Sequence, residues 1–205
     1  MTPIELHYPL SGRLLTLPAD HGYALLGAIS RVLPVAHGGN GFALAPIAGR
    51  QIGNRQMMTT PDSRVVIRTT TDRISDFLPL AGQAIEIAGQ PLTIGVPHIQ
   101  AVVACPSLRS RLVTIKGFFE AEQFRDAVRR HLDRLEVGDC TISIGRRRTI
   151  RIHGREIVGF STQLDALGDD DSIRVSVHGI GGRRHMGCGV FVRCHPNPTG
   201  ESFNG

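Results

Sequence analysis

Apolar and polar residues alternate from Ile4 to Leu10, the period of a half-buried strand. Pro18, Ala19 and Asp20 then set up a helix start with Asp20 as N-cap, and Leu25, Leu26, Ile29, Val32 and Leu33 recur at helical spacing up to Pro34. The opposite face carries Tyr23, Gly27 and Ser30, with His21 in the first turn. A glycine inside a helix costs about 1 kcal/mol against alanine, so Gly27 predicts a close approach by another backbone or a ligand. Val35 to Gly41 reads as a glycine-rich turn carrying His37. Strands follow at Phe42–Ile47 and Arg64–Thr70, a short helix at Asp72–Leu80, and a hairpin over Ala84–Val96 turning at Ala88-Gly89. The order is strand, helix, strand, strand, helix, strand, which is the ferredoxin-like βαββαβ arrangement.

The second half repeats that order. Strands are expected at Ile99–Ala104 and Leu112–Ile115, and a helix over Glu120–Leu135 with Phe124, Ala127, Val128, His131, Leu132 and Leu135 on one face. Thr141–Ile144 and Thr149–Phe160 flank a corner at Gly145-Arg146-Arg147-Arg148, and Asp169–Val177 reads as a further helix. The fold class is therefore α+β, with two tandem ferredoxin-like domains over 1–97 and 98–205.

A glycine-rich run from Gly179 to Val192 precedes the C-terminus. It predicts a loop delivering backbone amides and the cations Arg183 and Arg184, then a strand with an apolar/polar alternation. It is neither of two familiar nucleotide loops: the dinucleotide fingerprint needs glycine where Arg184 stands, and the Walker loop needs Lys-Ser/Thr where Cys188 and Gly189 stand. A basic solvent-facing hairpin is the plain alternative to a polyanion site, and the pairing of glycines with arginine forks favours the latter.

Charge strengthens that picture. The net value is +5, with 22 arginines and the single lysine Lys116, and residues 99–205 carry sixteen basic side chains against twelve acidic. A basic half with a phosphate-type loop is the electrostatic footprint of a nucleic-acid binder. With no Trp and two Tyr, stacking platforms for single strands are scarce, which points to structured RNA read by shape and phosphate. The four cysteines show no CxxC spacing, and alternation after Gly187 would put His195 on the face opposite Cys188 and Cys194. No metal and no cofactor is therefore expected. No apolar run approaches the ~18 residues of a membrane span, and Met1–Leu17 has no export signal, so a cytoplasmic protein with reduced thiols is expected.

Gly179 to Val192, with its core GGRRHMGCGVFV, resembles the C-terminal glycine-rich loop of the CRISPR-associated repeat-cleaving endoribonucleases, the Cas six family, in its MYXAN-type branch. The stretches Pro18–Pro34, Leu108–Phe118 and Arg146–Phe160 point the same way. The resemblance implies cleavage of CRISPR precursor RNA within its repeats, releasing guide RNAs. The repeat RNA, as a stem-loop, is the implied partner, together with other effector-complex subunits. The alternative is a non-catalytic subunit that holds the guide RNA 3′ end.

RNA carries its own nucleophile in the 2′-OH, so cleavage without metal needs a base for the 2′ proton and an acid for the departing 5′ oxygen, roles that suit histidine. Among nine histidines, His131 reads as packed on a helix, and His7, His98, His153, His178 and His195 have no supporting constellation. His37 ranks first, because the family places its catalytic histidine in or just beyond the first helix. His21 ranks second, since a helix N-terminus favours a neutral imidazole. Tyr23 is implied as their hydrogen-bonding partner. The lysine that some relatives carry after the histidine has no counterpart here, leaving Arg50 or Arg55 for the phosphate charge. RNA binding is expected from Arg146, Arg147, Arg148, Arg151 and Arg155, and from Gly181, Gly182, Arg183, Arg184 and His185. Arg109, Arg111 and Lys116 fit either binding or the domain junction.

Overall fold

The computed structural model describes residues 1–194; His195 lies outside the described residues. The chain divides into two compact units. Unit 1 comprises Met1–Ala101 together with Arg184–Gly187, and unit 2 the remainder.

In unit 1 the elements run β1 (Pro3–Ser11), β2 (Thr16–Pro18), α1 (Gly22–Val32), β3 (Ala43–Ala45), β4 (Arg50–Gly53), β5 (Gln56–Met58), β6 (Arg64–Thr70), α2 (Ile74–Phe77), β7 (Ala84–Ile87), β8 (Gln90–Ile94) and β9 (His98–Ala101). The main sheet has the order β3-β6-β1-β8-β7, all antiparallel, with β9 also paired to β1. Alternation on β1 sends Ile4, Leu6 and Tyr8 into the core, where Leu25 and Ile29 of α1 and Phe77 of α2 meet them. The buried Tyr8 hydroxyl donates to the Phe77 carbonyl at 2.7 Å, and burial pushes its pKa well above the ordinary phenol value.

Unit 2 holds β10 (Leu108–Val113), α3 (Ala121–Arg134), β11 (Thr141–Ile152), β12 (Arg155–Asp165), α4 (Asp169–His178) and β13 (Val192–Arg193). Its sheet order, β11-β12-β10-β13, is the ferredoxin-like order, again antiparallel. Phe124, Val128 and Leu132 of α3 close over the sheet, and Phe124 meets Phe160 with ring centroids 4.8 Å apart. His131 is partly buried on the same helix. Burial first, and then the charges of Arg134 and Arg130, lower its pKa, as suits a packed histidine.

Several expectations need correction. His98–Ala101 pairs with β1 in unit 1, so the first unit runs on to Ala101 rather than ending near Pro97. The N-cap position of α1 is held by His21 rather than Asp20, since the helix starts at Gly22, and the Asp20 carboxylate accepts from Arg55 Nη2 at 2.6 Å. The Gly145–Arg148 corner is a β-bulge within one continuous strand, β11, and the chain reverses at His153-Gly154, whose φ values of 48° and 74° suit a tight hairpin. Cys188–Phe191 is buried without strand pairing, and only Val192–Arg193 joins the sheet, so the alternation expected from Gly187 onward does not form. Three short strands, β2, β5 and β4, form a small separate sheet.

Gly27 also departs from expectation, since a Cβ built there meets no atom within 4 Å. No neighbour among the described residues requires glycine at that site. Gly27→Ala is expected to raise stability by ~0.5–1 kcal/mol through helix propensity alone, read as a higher urea midpoint with an unchanged m value.

Candidate active site

The centre of interest in unit 1 is the turn after α1. Pro34–Ala36 forms a single 3-10 turn, closed by the His37 N–H to the Pro34 carbonyl at 3.0 Å and the Gly39 N–H to the Ala36 carbonyl at 3.2 Å. Ala36 is fully buried, which roots the turn, while His37 is exposed. Its far side is tied down as well. Arg73 Nη1 donates to the Asn40 carbonyl at 2.9 Å and the Thr69 hydroxyl to the Gly41 carbonyl at 3.1 Å. Arg73 is itself braced by Asp76 at 2.9 Å and by the Phe77 ring, 5.6 Å below its guanidinium. The backbone around His37 is thus fixed while its ring stays accessible.

Residues Arg184–Gly187 pack within the same unit. Arg184–Met186 forms a 3-10 turn, and Met186 joins the core beside α1. The Met186 carbonyl lies so close to Gly22 that any Cβ there would collide with it, which explains glycine at the first residue of the helix. On the other side the His185 ring lies against Gly39, where a Cβ would stand 2.7 Å from Nδ1. Gly39 also holds φ +63°, a conformation that glycine adopts without strain. The turn carrying His185 therefore touches both the start of α1, next to Tyr23, and the loop that carries His37. Tyr23 is partly exposed.

His21 is placed differently. It is 1% exposed; Ile47 N–H donates to its Nε2 at 2.9 Å, and its Nδ1 lies 2.9 Å from the Pro18 carbonyl. An amide can only donate and a carbonyl only accept, so Nδ1 carries the proton and the ring is neutral. The neutral form expected at a helix N-terminus is present, but its one nitrogen lone pair is already engaged.

Behind the Arg184–Met186 turn, Glu5 on β1 and Arg68 on β6 are register partners on the sheet face opposite the core. Arg68 Nε donates to Glu5 Oε1 at 2.9 Å, and His7 Nε2 lies 2.9 Å from Glu5 Oε2. Burial opposes ionisation of Glu5, but the His7 hydrogen bond and the Arg68 charge outweigh it and hold the carboxyl down to about 2. Arg184 lies partly buried near Arg68. Burial, and then the Arg68 charge, lower it to about 10, which still leaves it cationic at neutral pH.

A family model described as Cas6 Crispr matches residues 4–195. The chain belongs to the Cas6 CRISPR family. It is 36% identical over 192 residues to the CRISPR-associated endonuclease Cas6 of Myxococcus xanthus (strain DK1622), across 94% of this chain and 82% of that protein. Among solved structures it is similar to a Cas6-related protein from Pyrococcus furiosus, with a TM-score of 0.61 at 11% identity over 96% of this chain and 99% of the other. It is also similar to Thermus thermophilus Cse3 bound to an RNA representing a pre-cleavage complex, with a TM-score of 0.51 at 12% identity over 94% and 98% of the two chains. These likenesses establish the Cas6 fold of tandem ferredoxin-like halves.

In this Cas6 family member the remaining expected contacts lie in unit 2. Arg146 and Arg147 are exposed at the bulge of β11, and Arg151 and Arg155 are exposed toward the hairpin tip. Alternation beyond the bulge puts Arg147, Thr149 and Arg151 on one face, and the partly buried Arg148 with Ile150 and Ile152 on the other. Arg151 faces Glu156 across the strands, so one of these cations has an acidic neighbour. In the glycine loop, the Gly182 N–H donates to the Thr114 carbonyl at 3.2 Å, and Gly182 and Arg183 are exposed. Arg183 holds φ +65°, uncommon for a residue with a side chain. Of the two loop arginines, then, Arg183 is presented outward and Arg184 is turned inward. Arg109 and Lys116 are exposed and Arg111 is partly buried.

Arg50 is exposed on β4, and Arg55 is committed to Asp20. Arg73, which fastens the His37 turn, escaped the sequence reading because its carbonyl partner on Asn40 lies 33 residues away. The helical face of Asp72–Leu80 was the only local signal there.

Proposed function

We propose that this protein is an endoribonuclease that cuts CRISPR precursor RNA within its repeats, without a metal, and so releases guide RNAs. The observation that carries the reading is the exposed His37 on a turn held from both sides, in a member of the Cas6 family. The Myxococcus xanthus relative is a named CRISPR-associated endonuclease, and a Thermus thermophilus protein of the same fold has been solved with a pre-cleavage RNA.

In this mechanism the 2′-OH attacks the adjacent phosphorus in line with the departing 5′ oxygen. The O2′–P bond forms and the P–O5′ bond breaks, giving a 2′,3′-cyclic phosphate and a 5′-OH. His37 takes part in proton transfer, and Tyr23 orients the reacting ribose or phosphate from the start of α1. His21 has a positioning role: by bonding Pro18 and Ile47 it fixes the start of α1 relative to the chain leaving β3. Exposed arginines on β11 and β12 and the Gly181–Arg183 segment bind the phosphates of a repeat stem-loop, Arg183 through its fork of donors.

A single-turnover assay on labelled repeat RNA with excess chelator tests this. Discrete cutting with a cyclic-phosphate end, blocked by one 2′-deoxy nucleotide at the cut, is expected. Tight binding with no cut would make the protein a guide-holding subunit instead, and cutting that persists past the deoxy substitution would rule out 2′-OH attack.

A further inference from the structure

Transesterification needs two proton-transfer groups, and His37 is one. Resting on the metal-independent reading above, we propose that His185 is the second, a catalytic residue facing His37 across the reacting phosphate. Within unit 1, the placement of the other histidines favours His185. His21 is buried with both ring nitrogens engaged. His7 lies on the Glu5 carboxylate, and His98 is its register partner on β9.

Among the described histidines of unit 1, His185 is the one whose ring lies against Gly39, two residues from His37. Its backbone is held by neighbours of different kinds. The Met186 carbonyl presses on Gly22 at the start of α1, and the Met186 side chain packs in the core. Pro46 lies within 3.0 Å of where a Cβ on Gly187 would sit. These contacts also join three elements, since they put the His185 turn in contact with the loop carrying His37 and with the helix start carrying Tyr23. The ionisable groups on the elements packed against His185 are Arg184 on its own turn, His37 on the facing turn, and Tyr23 in the first turn and the exposed Arg31 in the last turn of α1, with Arg68 behind Arg184. β3 contributes only Ala43, Leu44 and Ala45.

In the reaction one imidazole accepts the 2′ proton as the O2′–P bond forms. The other gives its proton to O5′ as the P–O5′ bond breaks, so the two rings exchange protonation states over one turnover. Both must therefore be in the correct state at the start, and the rate should fall on both sides of an optimum.

The test measures single-turnover rates at saturating protein for wild type, His37→Ala, His185→Asn and His185→Gln, with melting curves to confirm folding. Each histidine variant is expected to lose about 100-fold or more in rate, with RNA Kd changed by less than about threefold, and the His185 variants are expected to lose one limb of the pH profile. A substrate with sulfur in place of the 5′ bridging oxygen supplies a leaving group that needs no proton. It should restore cutting to one of the two positions and not the other, which assigns the acid. His185 variants with normal rates at saturation, or weakened binding alone, would return His185 to RNA contact. Rescue of both positions or of neither would overturn the pairing. A wild-type protein that fails to cut, or that cuts past the 2′-deoxy block, would strike at the function reading itself.

Discussion

His37→Ala is expected to lower the single-turnover cleavage rate by about 10²–10⁴-fold while leaving RNA affinity and thermal stability nearly as they were. The expectation follows from how the turn is built. The backbone of residues 34–41 is held by its own hydrogen bonds, by Arg73 on Asn40 and by Thr69 on Gly41, none of which uses the His37 ring. Removing an exposed ring opens no cavity, so the stability change should stay within about 0.5 kcal/mol. Loss of rate without loss of binding or folding separates a proton-transfer role from a phosphate contact, because a contact residue weakens binding first. The experiment compares rate constants at saturating protein with equilibrium binding of a 2′-deoxy-blocked repeat. Full activity in the variant would move the chemistry away from this turn and leave the anchoring by Arg73 unexplained.

What could be foreseen about this site was set by how far each residue lies from its partners. α1 and α3 were legible because their apolar residues recur every three or four positions and the core they meet needs no further specification. His37 was legible as a residue in a glycine-flanked turn. His21 was not: its second hydrogen-bond partner is Ile47, 26 residues on, and no local pattern distinguishes a helix-start histidine that is buried from one that is open. Asp20 looked like a cap by residue type, but Arg55, 35 residues away, competes for its carboxylate. β11 was hidden by its own bulge: the extra residue breaks the two-residue period just where three arginines stand, and that combination resembles a turn. β9 shows why the domain boundary moved. Its residues specify an extended segment, but only β1 decides which sheet receives it. The small sheet of β2, β4 and β5 left no trace, since β4 is exposed throughout and β2 is three residues ending in proline.

The second large effect expected is acid sensitivity seated at Glu5. Its carboxyl is held down to about 2 against an ordinary 4.5, by His7 and Arg68 acting against the burial that would raise it. A carboxyl depressed in the folded state stabilises it at pH values above 4.5, and that contribution fades as pH falls from about 4.5 toward 2. The gap corresponds to about 3 kcal/mol in full and about 2 kcal/mol lost by pH 3, order-of-magnitude values for a side chain only 15% exposed. Urea midpoints at pH 6, 4.5 and 3 should fall accordingly in the wild-type protein. In Glu5→Gln the midpoint should already be low at pH 6, because losing one member of a buried ion pair costs about 3–5 kcal/mol, and it should change much less with pH below 4.5. Equal acid sensitivity in the two proteins would show that other carboxylates dominate. The same variant bears on function, because Glu5 is the carboxylate on which Arg68 closes, and the Arg68 charge reaches Arg184 at the base of the His185 turn. With Glu5 neutral, two guanidiniums near one another lose that countercharge, and the turn holding His185 against Gly39 is expected to loosen. Cleavage by Glu5→Gln should therefore fall at pH 7, under conditions where melting still shows the chain folded.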